Sequence, residues 1–444
     1  MSHAFLDNLL SSIAEQGRRL IQKAPQPRPP AKESMAELCE AILSERGESS
    51  GIVRAQVVLE LYRTLDKPGR TAFFEMLASR FRSDHARIAA AIEAYASAPS
   101  DANAIRLHEA AEPRRQELIR RLNRSPRGTA SLVAMREDLI ELLKSHPTLA
   151  AVDHDFGHLL SSWFNRGFLV LKRIDWNTSA AILEKIIRYE AVHEIRSWED
   201  LRRRIEPSDR RCYAFFHPAM LDEPLIFVEV ALTKGSPDAI APILADARPV
   251  LAEREADTAA FYSISNCQKG LRGVSFGNFL IKQVVEELKR DLPWLATFVT
   301  LSPVPGFAGW LDGLLASGAS DVVSDDRRAL LRVALAEPGW HESRGRSAEL
   351  EQILMPLAAH YFLRVKAPDG GPVDPVARFH LGNGARLERI DWLGDVSPRG
   401  LRQAAGLMVN YRYDLAHIEA NHEAFARERK VAASSAVHRL LAAA

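Results

Sequence analysis

The spacing of apolar residues divides this chain of 444 residues into two halves. Up to about residue 170, apolar residues recur three and four positions apart, which predicts amphipathic helices. Three of these faces are Ala36, Leu38, Cys39, Ile42 and Leu43; Val57, Val58, Leu61 and Tyr62; and Leu132, Met135, Leu139, Leu142 and Leu143. Ser34 followed by Glu37 predicts a capping box at a helix start. We therefore expect residues 1–170 to form an all-α helical bundle that serves in assembly.

The pattern changes after a helical bridge predicted at residues 179–192 and 198–205. Short runs rich in β-branched and aromatic residues predict four strands. These runs lie at residues 211–216, 225–232, 258–265 and 296–301. A helical pattern at 278–289 separates the third and fourth strands, which is the order of a parallel crossover unit. Further helices are predicted at 349–365, 397–413 and the C-terminus, so we expect residues 171–444 to form an α/β domain.

Composition narrows the class of protein. The chain has 58 Lys and Arg against 57 Asp and Glu, a formal net charge of +1, which does not favour nonspecific binding to nucleic acid. Its three cysteines show no CxxC spacing, so we predict neither a zinc site nor a disulfide framework. No apolar run approaches the roughly 18–20 residues of a membrane span, and residues 1–23 are interpreted as an amphipathic helix. We expect a cytoplasmic α+β protein of two domains.

A glycine-rich stretch follows the third predicted strand and precedes a predicted helix. Its glycines, Gly270, Gly273 and Gly277, allow the backbone to turn tightly and approach a ligand, and a helix start favours an anion. Lys269, Arg272 and Lys282 add positive charge nearby. The intervals fit neither a GxGxxG fingerprint nor a Walker loop. Phosphate binding and simple turn geometry both remain open on spacing alone.

Two other motifs favour structural interpretations. His154 and His158 have the spacing of a helical metal pair, but the glutamate of a zinc-protease helix is absent and Gly157 weakens the helix. We therefore predict a packed or solvated pair and no metal site. The basic runs at 202–204 and 210–211 are interpreted as solvated surface, with contact to an adenosine phosphate as the alternative.

Two stretches resemble the malonyl-CoA decarboxylase family. They are Leu301-Ser302-Pro303-Val304-Pro305-Gly306-Phe307 and Phe379-His380-Leu381-Gly382-Asn383-Gly384. Segments at 163–169, 190–193, 211–213, 223–225, 261–265 and 406–413 extend the resemblance over most of the second half and into the first. The glycine-rich stretch is similar to the CoA pyrophosphate loop of Gcn5-related acetyltransferases (GNAT).

The resemblance implies a GNAT-like catalytic domain that converts malonyl-CoA to acetyl-CoA and CO2 without a metal or organic cofactor. It also implies a homo-oligomer, a tetramer, acting in fatty acid metabolism. Ser302 takes the role of proton acceptor and His380 that of proton donor. The residues implied to line the CoA phosphates are Arg272, Gly273, Val274, Ser275, Phe276, Gly277 and Asn278. Other members can carry glutamate at Ser275, so a carboxylate role there is not transferred.

Several alternatives remain open on the residues themselves. Ser302 before a proline also fits a turn residue, and His380 also fits a packed histidine. Asn410 and Tyr413, three apart on the helix predicted at 397–413, could orient His380, reach the acyl group or simply pack at the boundary of the core. An acyltransferase of the same fold, or a non-enzymatic CoA-binding assembly protein, would share the CoA loop but would not release CO2 from malonyl-CoA.

Overall fold

The computed structural model describes residues 34–44, 48–220, 222–274, 276, 280–317 and 322–442. The chain folds into two compact units. The first comprises Met1–Val170 together with two later segments, Phe216–Leu225 and Gln268–Phe276. The second comprises Leu171–Phe215, Ile226–Cys267 and Gly277–Ala444. The helix predicted for residues 1–23 lies outside the described residues.

The described part of the first unit is mainly helical. Its helices are α1 (Met35–Ser44), α2 (Glu48–Thr64), α3 (Lys67–Arg80), α4 (His85–Ser97), α5 (Asp101–Ala111), α6 (Arg114–Asn123), α7 (Gly128–Leu142) and α8 (Ala150–Trp163). One hydrophobic core contains buried residues from all three predicted apolar faces. The Ser34 N–H donates to the Glu37 carboxylate at 2.8 Å and the Glu37 N–H donates to Ser34 Oγ at 3.3 Å, which confirms the predicted capping box.

From Val170 onward, strands alternate with helices. The elements are β1 (Val170–Ile174), α9 (Ala180–Tyr189), α10 (Trp198–Ile205), β2 (Arg210–Phe216), β3 (Pro224–Thr233), α11 (Ala241–Leu244), β4 (Thr258–Asn266), α12 (Leu280–Asp291), β5 (Thr297–Thr300), β6 (Ser302–Pro303), α13 (Phe307–Ala316), α14 (Asp325–Ala336), α15 (Arg344–Leu363), α16 (Pro375–Gly382), β7 (Arg386–Asp391), α17 (Pro398–Ala404), β8 (Met408–Arg412), α18 (Ile418–Glu428) and α19 (Ser435–Ala442). None of the described helices is long and apolar enough to cross a membrane.

The strands form one mixed sheet in the order β1-β2-β3-β4-β5-β8-β6, with β7 paired to β8. Strands β4 and β5 are parallel, and Phe261 lies opposite Thr300. Strand β3 is antiparallel to β4, and β8 is antiparallel to β5, β6 and β7. The four predicted strands are confirmed as β2 to β5, and the strand, turn, helix, strand order is confirmed as a parallel crossover. The expected class, a helical region followed by a mixed-sheet domain of helices and strands, is therefore confirmed.

The prediction of a helix at 397–413 is wrong for the second half of that range. Helix α17 ends at Ala404, after which Ala405 and Gly406 adopt left-handed φ angles of +50° and +80°. Gly406 tolerates this conformation without strain, so the chain leaves the helix and enters β8. The residues of β8 are buried, except for Arg412, which is partly buried. The sequence carried the signal of this strand, since the apolar residues Val409, Tyr411 and Tyr413 alternate with Asn410 and Arg412. The helix prediction overlooked it.

We expect Gly384→Ala to destabilise the protein strongly. Gly384 follows α16 with a φ of +82°, and a Cβ there would overlap the Ile418 carbonyl. Alanine should lower the free energy of unfolding by about 2 kcal/mol or more, from the left-handed backbone and the displaced carbonyl. Thermal unfolding measures this as a lower midpoint. Gly313→Ala is the control, because its Cβ would meet open space at an exposed position of α13, where alanine should stabilise by about 0.5–1 kcal/mol. Equal midpoints for the two variants would contradict the assignment.

Candidate active site

Ser302 is positioned by the sheet. It follows the end of β5 by two residues and pairs with Val409 of β8. Its side chain is nearly buried, with 5% of the residue exposed. The Ser302 hydroxyl lies 2.8 Å from Thr300 Oγ1. Thr300 Oγ1 also accepts the Tyr411 N–H at 3.1 Å, so the side chain that supports Ser302 is itself fixed by β8.

His380 lies on α16, 78 residues further along the chain, and is 3% exposed. Its Nε2 atom is 3.1 Å from Ser302 Oγ, and its Nδ1 atom is 2.8 Å from the Tyr413 hydroxyl. The imidazole stacks on Tyr411, with ring centroids 4.6 Å apart and planes inclined by 24°. Both ring nitrogens and one ring face are therefore held by named side chains.

The protonation of Tyr413 determines the direction of these hydrogen bonds. Burial raises the pKa of Tyr413 well above its ordinary value, so the hydroxyl keeps its proton and can donate to Nδ1 of His380. That bond favours the tautomer with hydrogen on Nε2, which donates to Ser302 Oγ. Ser302 in turn donates to Thr300 Oγ1. The result is a one-way chain of donors from Tyr413 through His380 to Ser302.

His380 is neutral in this environment. Burial lowers the pKa of His380 from 6.5 to about 3, because a charged imidazolium would lose its hydration. A neutral imidazole can still donate from Nε2 to an oxygen that becomes more negative during a reaction. A negatively charged group brought close to the ring would favour the protonated form and raise this pKa.

Asp374 connects the chain segment after Ser302 with the helix that carries His380. Its Oδ1 atom accepts the N–H groups of Val376 and Ala377 at 2.9 Å and so caps α16. Its Oδ2 atom accepts the Gly306 N–H at 3.3 Å, and the Tyr361 hydroxyl lies 3.4 Å away. The sequence analysis missed this residue. The local signal was present, since aspartate directly before Pro375 is typical of a helix start.

Asn410 and Tyr413 do not share a helix face, because Asn410 lies in β8. Successive side chains of a strand point to opposite faces, and Tyr411 and Tyr413 are the ones that contact His380. The Asn410 amide instead donates to the carbonyls of Thr300 at 2.8 Å and Pro237 at 3.1 Å. The structure therefore brings Ser302, His380 and Tyr413 together and places Asn410 on the backbone that supports them.

The glycine-rich loop is described from Gln268 to Val274 and at Phe276. It begins with a 3-10 turn at Lys269–Leu271, and Gly273 adopts a φ of +80° with no atom close to the position of a Cβ. Arg272 is exposed. Ser275, Gly277 and Asn278 lie outside the described residues. The assignment of the loop to CoA phosphates stays a prediction.

The remaining motifs have structural roles or none. Among the described residues, no group of three or more His, Cys, Asp or Glu side chains is placed to hold a metal ion. The interpretation of the basic runs as solvated surface is wrong for Arg204, Arg210 and Arg211, which are buried. Arg204 bonds the buried Glu229 at 3.1 Å, and the other two bond neighbouring carbonyls, because a buried guanidinium needs acceptors.

Comparison with known proteins agrees with the resemblance in the sequence. The sequence model of the malonyl-CoA decarboxylase C-terminal domain matches residues 167–444, and that of the N-terminal domain matches residues 81–164. The mitochondrial malonyl-CoA decarboxylase of Anser anser anser is 37% identical over 440 residues, 94% of this chain and 84% of the relative.

Two solved structures are also similar over almost their whole length. The malonyl-CoA decarboxylase of Rhodopseudomonas palustris is 56% identical with a TM-score of 0.89, covering 91% of this chain and 98% of that one. The malonyl-CoA decarboxylase of Agrobacterium vitis is 56% identical with a TM-score of 0.87, and the match covers 92% of this chain and 99% of that one. Both similarities span the helical region and the sheet.

The neutral His380 predicts a pH dependence of stability. Below pH 6.5 the unfolded chain binds a proton on this histidine that the folded protein does not, so stability falls as pH falls from about 6.5 towards about 3. Between pH 7 and pH 5 the loss from this one group should be about 2 kcal/mol. Urea denaturation of the protein and of His380→Gln at both pH values measures the difference. His193, also buried with a lowered pKa, is present in both proteins and cancels. An equal loss of stability in the unaltered protein and in His380→Gln would show that the pKa of His380 is not lowered.

Proposed function

The chain belongs to the malonyl-CoA decarboxylase family, and from this membership we propose that it converts malonyl-CoA to acetyl-CoA and CO2. The observation that carries the chemical part of the proposal is the contact of 3.1 Å between Ser302 Oγ and His380 Nε2. Two residues that the sequence resemblance named separately, 78 positions apart, form one hydrogen-bonded pair. We propose that this pair is the catalytic centre.

The reaction needs three things from such a site. The bond between the carboxylate carbon and the methylene carbon breaks, CO2 leaves, and the electron pair passes into the thioester as an enolate. The developing negative charge on the thioester oxygen must be stabilised by donors placed beforehand, worth roughly 3–4 kcal/mol each in a water-excluded site. One proton must then reach the methylene carbon, which gives the methyl group of acetyl-CoA.

The residues at the site can supply these functions. His380 is the proton donor: the malonyl carboxylate beside the ring favours its protonated form, which gives the Nε2 proton to the methylene carbon and returns to the neutral imidazole. A positioned acid of this kind contributes about 10²–10⁴-fold. Ser302 takes the proton-acceptor role that the family resemblance implies. Its hydroxyl, once turned away from Thr300 Oγ1, can hydrogen-bond the departing carboxylate or the thioester. The pair recovers one proton from solvent in each turnover, so the reaction balances. Tyr413 sets the tautomer, and Asn410 supports Ser302 by holding the Thr300 carbonyl.

The CoA part of the substrate is assigned to the loop of residues 272–278. Arg272 is exposed and positively charged, and Gly273 leaves the backbone open to a close approach. Lys269 adds charge, although it also forms an ion pair with Glu137 at 3.5 Å. Lys282 is bonded to Glu419 at 2.7 Å, which reduces its availability to a phosphate. We propose catalysis without a resident metal or organic cofactor. The tetrameric state, the cytoplasmic location and the role in fatty acid metabolism stay predictions.

We expect Ser302→Ala and His380→Ala each to abolish most turnover while the fold survives. Both substitutions remove a group that acts on the reacting atoms, so kcat should fall by about 10²–10⁴-fold. The assay supplies malonyl-CoA with no acyl acceptor and follows acetyl-CoA and CO2 together. Equal amounts of both from the unaltered protein support the proposal. Intact malonyl-CoA alongside tight CoA binding would indicate an acyltransferase or a CoA-binding protein instead.

We expect Tyr413→Phe to lower kcat by about 10–100-fold, because His380 loses the donor that orients it and fixes its tautomer. The KM for malonyl-CoA should change little, since Tyr413 acts on His380. Tyr213→Phe is the matched control. Tyr213 is also a buried tyrosine of the sheet, but its hydroxyl has no hydrogen-bond partner among the described residues. Full activity in Tyr413→Phe would contradict the donor chain.

A further inference from the structure

Helix α7 of the first unit packs directly against the turn that begins the glycine-rich loop. Gly270 lies in that turn, and a Cβ on Gly270 would overlap the backbone carbonyl of Val133. Only glycine permits so close an approach of two backbones. The sequence analysis treated Gly270 as one of three glycines that face a ligand. The structure gives it a different partner, the helix.

Arg136 holds the same turn from α7. Its Nη1 group donates to the Gly270 carbonyl at 3.0 Å, and its Nε group donates to Asp153 of α8 at 2.8 Å. The residue is 6% exposed, so both bonds lie where water competes weakly. A guanidinium presents its donors in a rigid fork, which lets one side chain bond a carboxylate and a carbonyl in fixed directions. The loop is therefore anchored at Gly270, two residues before Arg272.

We propose that Arg136 is a positioning residue for the CoA loop. The helical region, to which the sequence assigned only assembly, then sets the affinity for the substrate through this side chain. This inference rests on the proposed function, because it takes Arg272 and Gly273 to contact the CoA phosphates. Without the Gly270 anchor, the described turn that places Arg272 and Gly273 is held less firmly, and fixing it at the moment of binding weakens the complex.

The expected signature is a change in binding with little change in chemistry. The CoA phosphates are held equally in the ground state and the transition state. Weaker phosphate binding therefore raises KM and leaves kcat unchanged. For Arg136→Met, which keeps the length of the side chain but removes its donors, we expect the KM for malonyl-CoA and the Kd for CoA to rise about tenfold. Arg136→Lys keeps the charge but lacks the fork, so we expect a smaller rise in both constants.

Arg115→Met is the matched control. Arg115 lies in the same unit, is 6% exposed and bonds an aspartate of α8, Asp155, and the Ala151 carbonyl, with no bond to the described residues of the loop. Its substitution removes a buried ion pair of the same kind, so it reports the general cost to stability. Thermal unfolding shows which variants are folded at the assay temperature. Calorimetric titration with free CoA and steady-state kinetics with malonyl-CoA are then measured for all of the proteins.

A rise of KM and Kd in the Arg136 variants and not in Arg115→Met supports the inference. Unchanged constants in Arg136→Met, or an equal rise in Arg115→Met, would overturn it. If Arg136→Met does not fold, Arg136→Lys decides the question by the same comparison. An unaltered protein that binds CoA without decarboxylating malonyl-CoA would contradict the proposed function, and the Kd values alone would then decide the role of Arg136. An unaltered protein that binds no CoA would overturn both.

Discussion

Strand β8 is the element on which the catalytic pair depends. It pairs with β5, β6 and β7, so its register fixes the backbone on both sides of Ser302. It also supplies the ring that stacks on His380, and the residue after it supplies the hydroxyl that bonds Nδ1. A shift of one residue in this pairing would turn Tyr411 away from His380 and bring Asn410 towards it. The position of the strand therefore controls the geometry of the acid.

Burial is the second constraint, and it acts on protonation. Ser302 and His380 are almost completely covered, which removes the hydration that an imidazolium would need. The same low dielectric strengthens the hydrogen bonds that remain, so an uncharged histidine with a fixed tautomer can still act as a directed donor. Asp374 does not contact Ser302 or His380 but helps to hold both in place. Its carboxylate caps the helix of His380 and bonds the segment that follows Ser302. Electrostatics and packing thus support the same geometry.

The sequence predicted more of the fold than of the site's surroundings. Helical periodicity before residue 170 and the strands β2 to β5 are confirmed, because each shows a local pattern. Ser302 and His380 were found only through resemblance to a family, since no spacing relates residues 78 positions apart. Strand β8 was assigned to a helix although Val409, Tyr411 and Tyr413 alternate with Asn410 and Arg412, because the helical pattern before residue 405 was extended across the turn. Arg136 gave no signal, because its partner Gly270 lies 134 residues away. Contacts between residues distant in sequence can be identified only once the fold is known.

The most direct test of the central claim, that Ser302 and His380 act as one unit, is the decarboxylation rate of the double variant Ser302→Ala/His380→Ala beside the two single variants. Residues that act in one step are strongly non-additive, so the account predicts that the double variant is about as slow as either single variant. A rate equal to the product of the two single losses would mean that each residue contributes independently. That result would contradict a catalytic pair joined by the hydrogen bond between Ser302 Oγ and His380 Nε2.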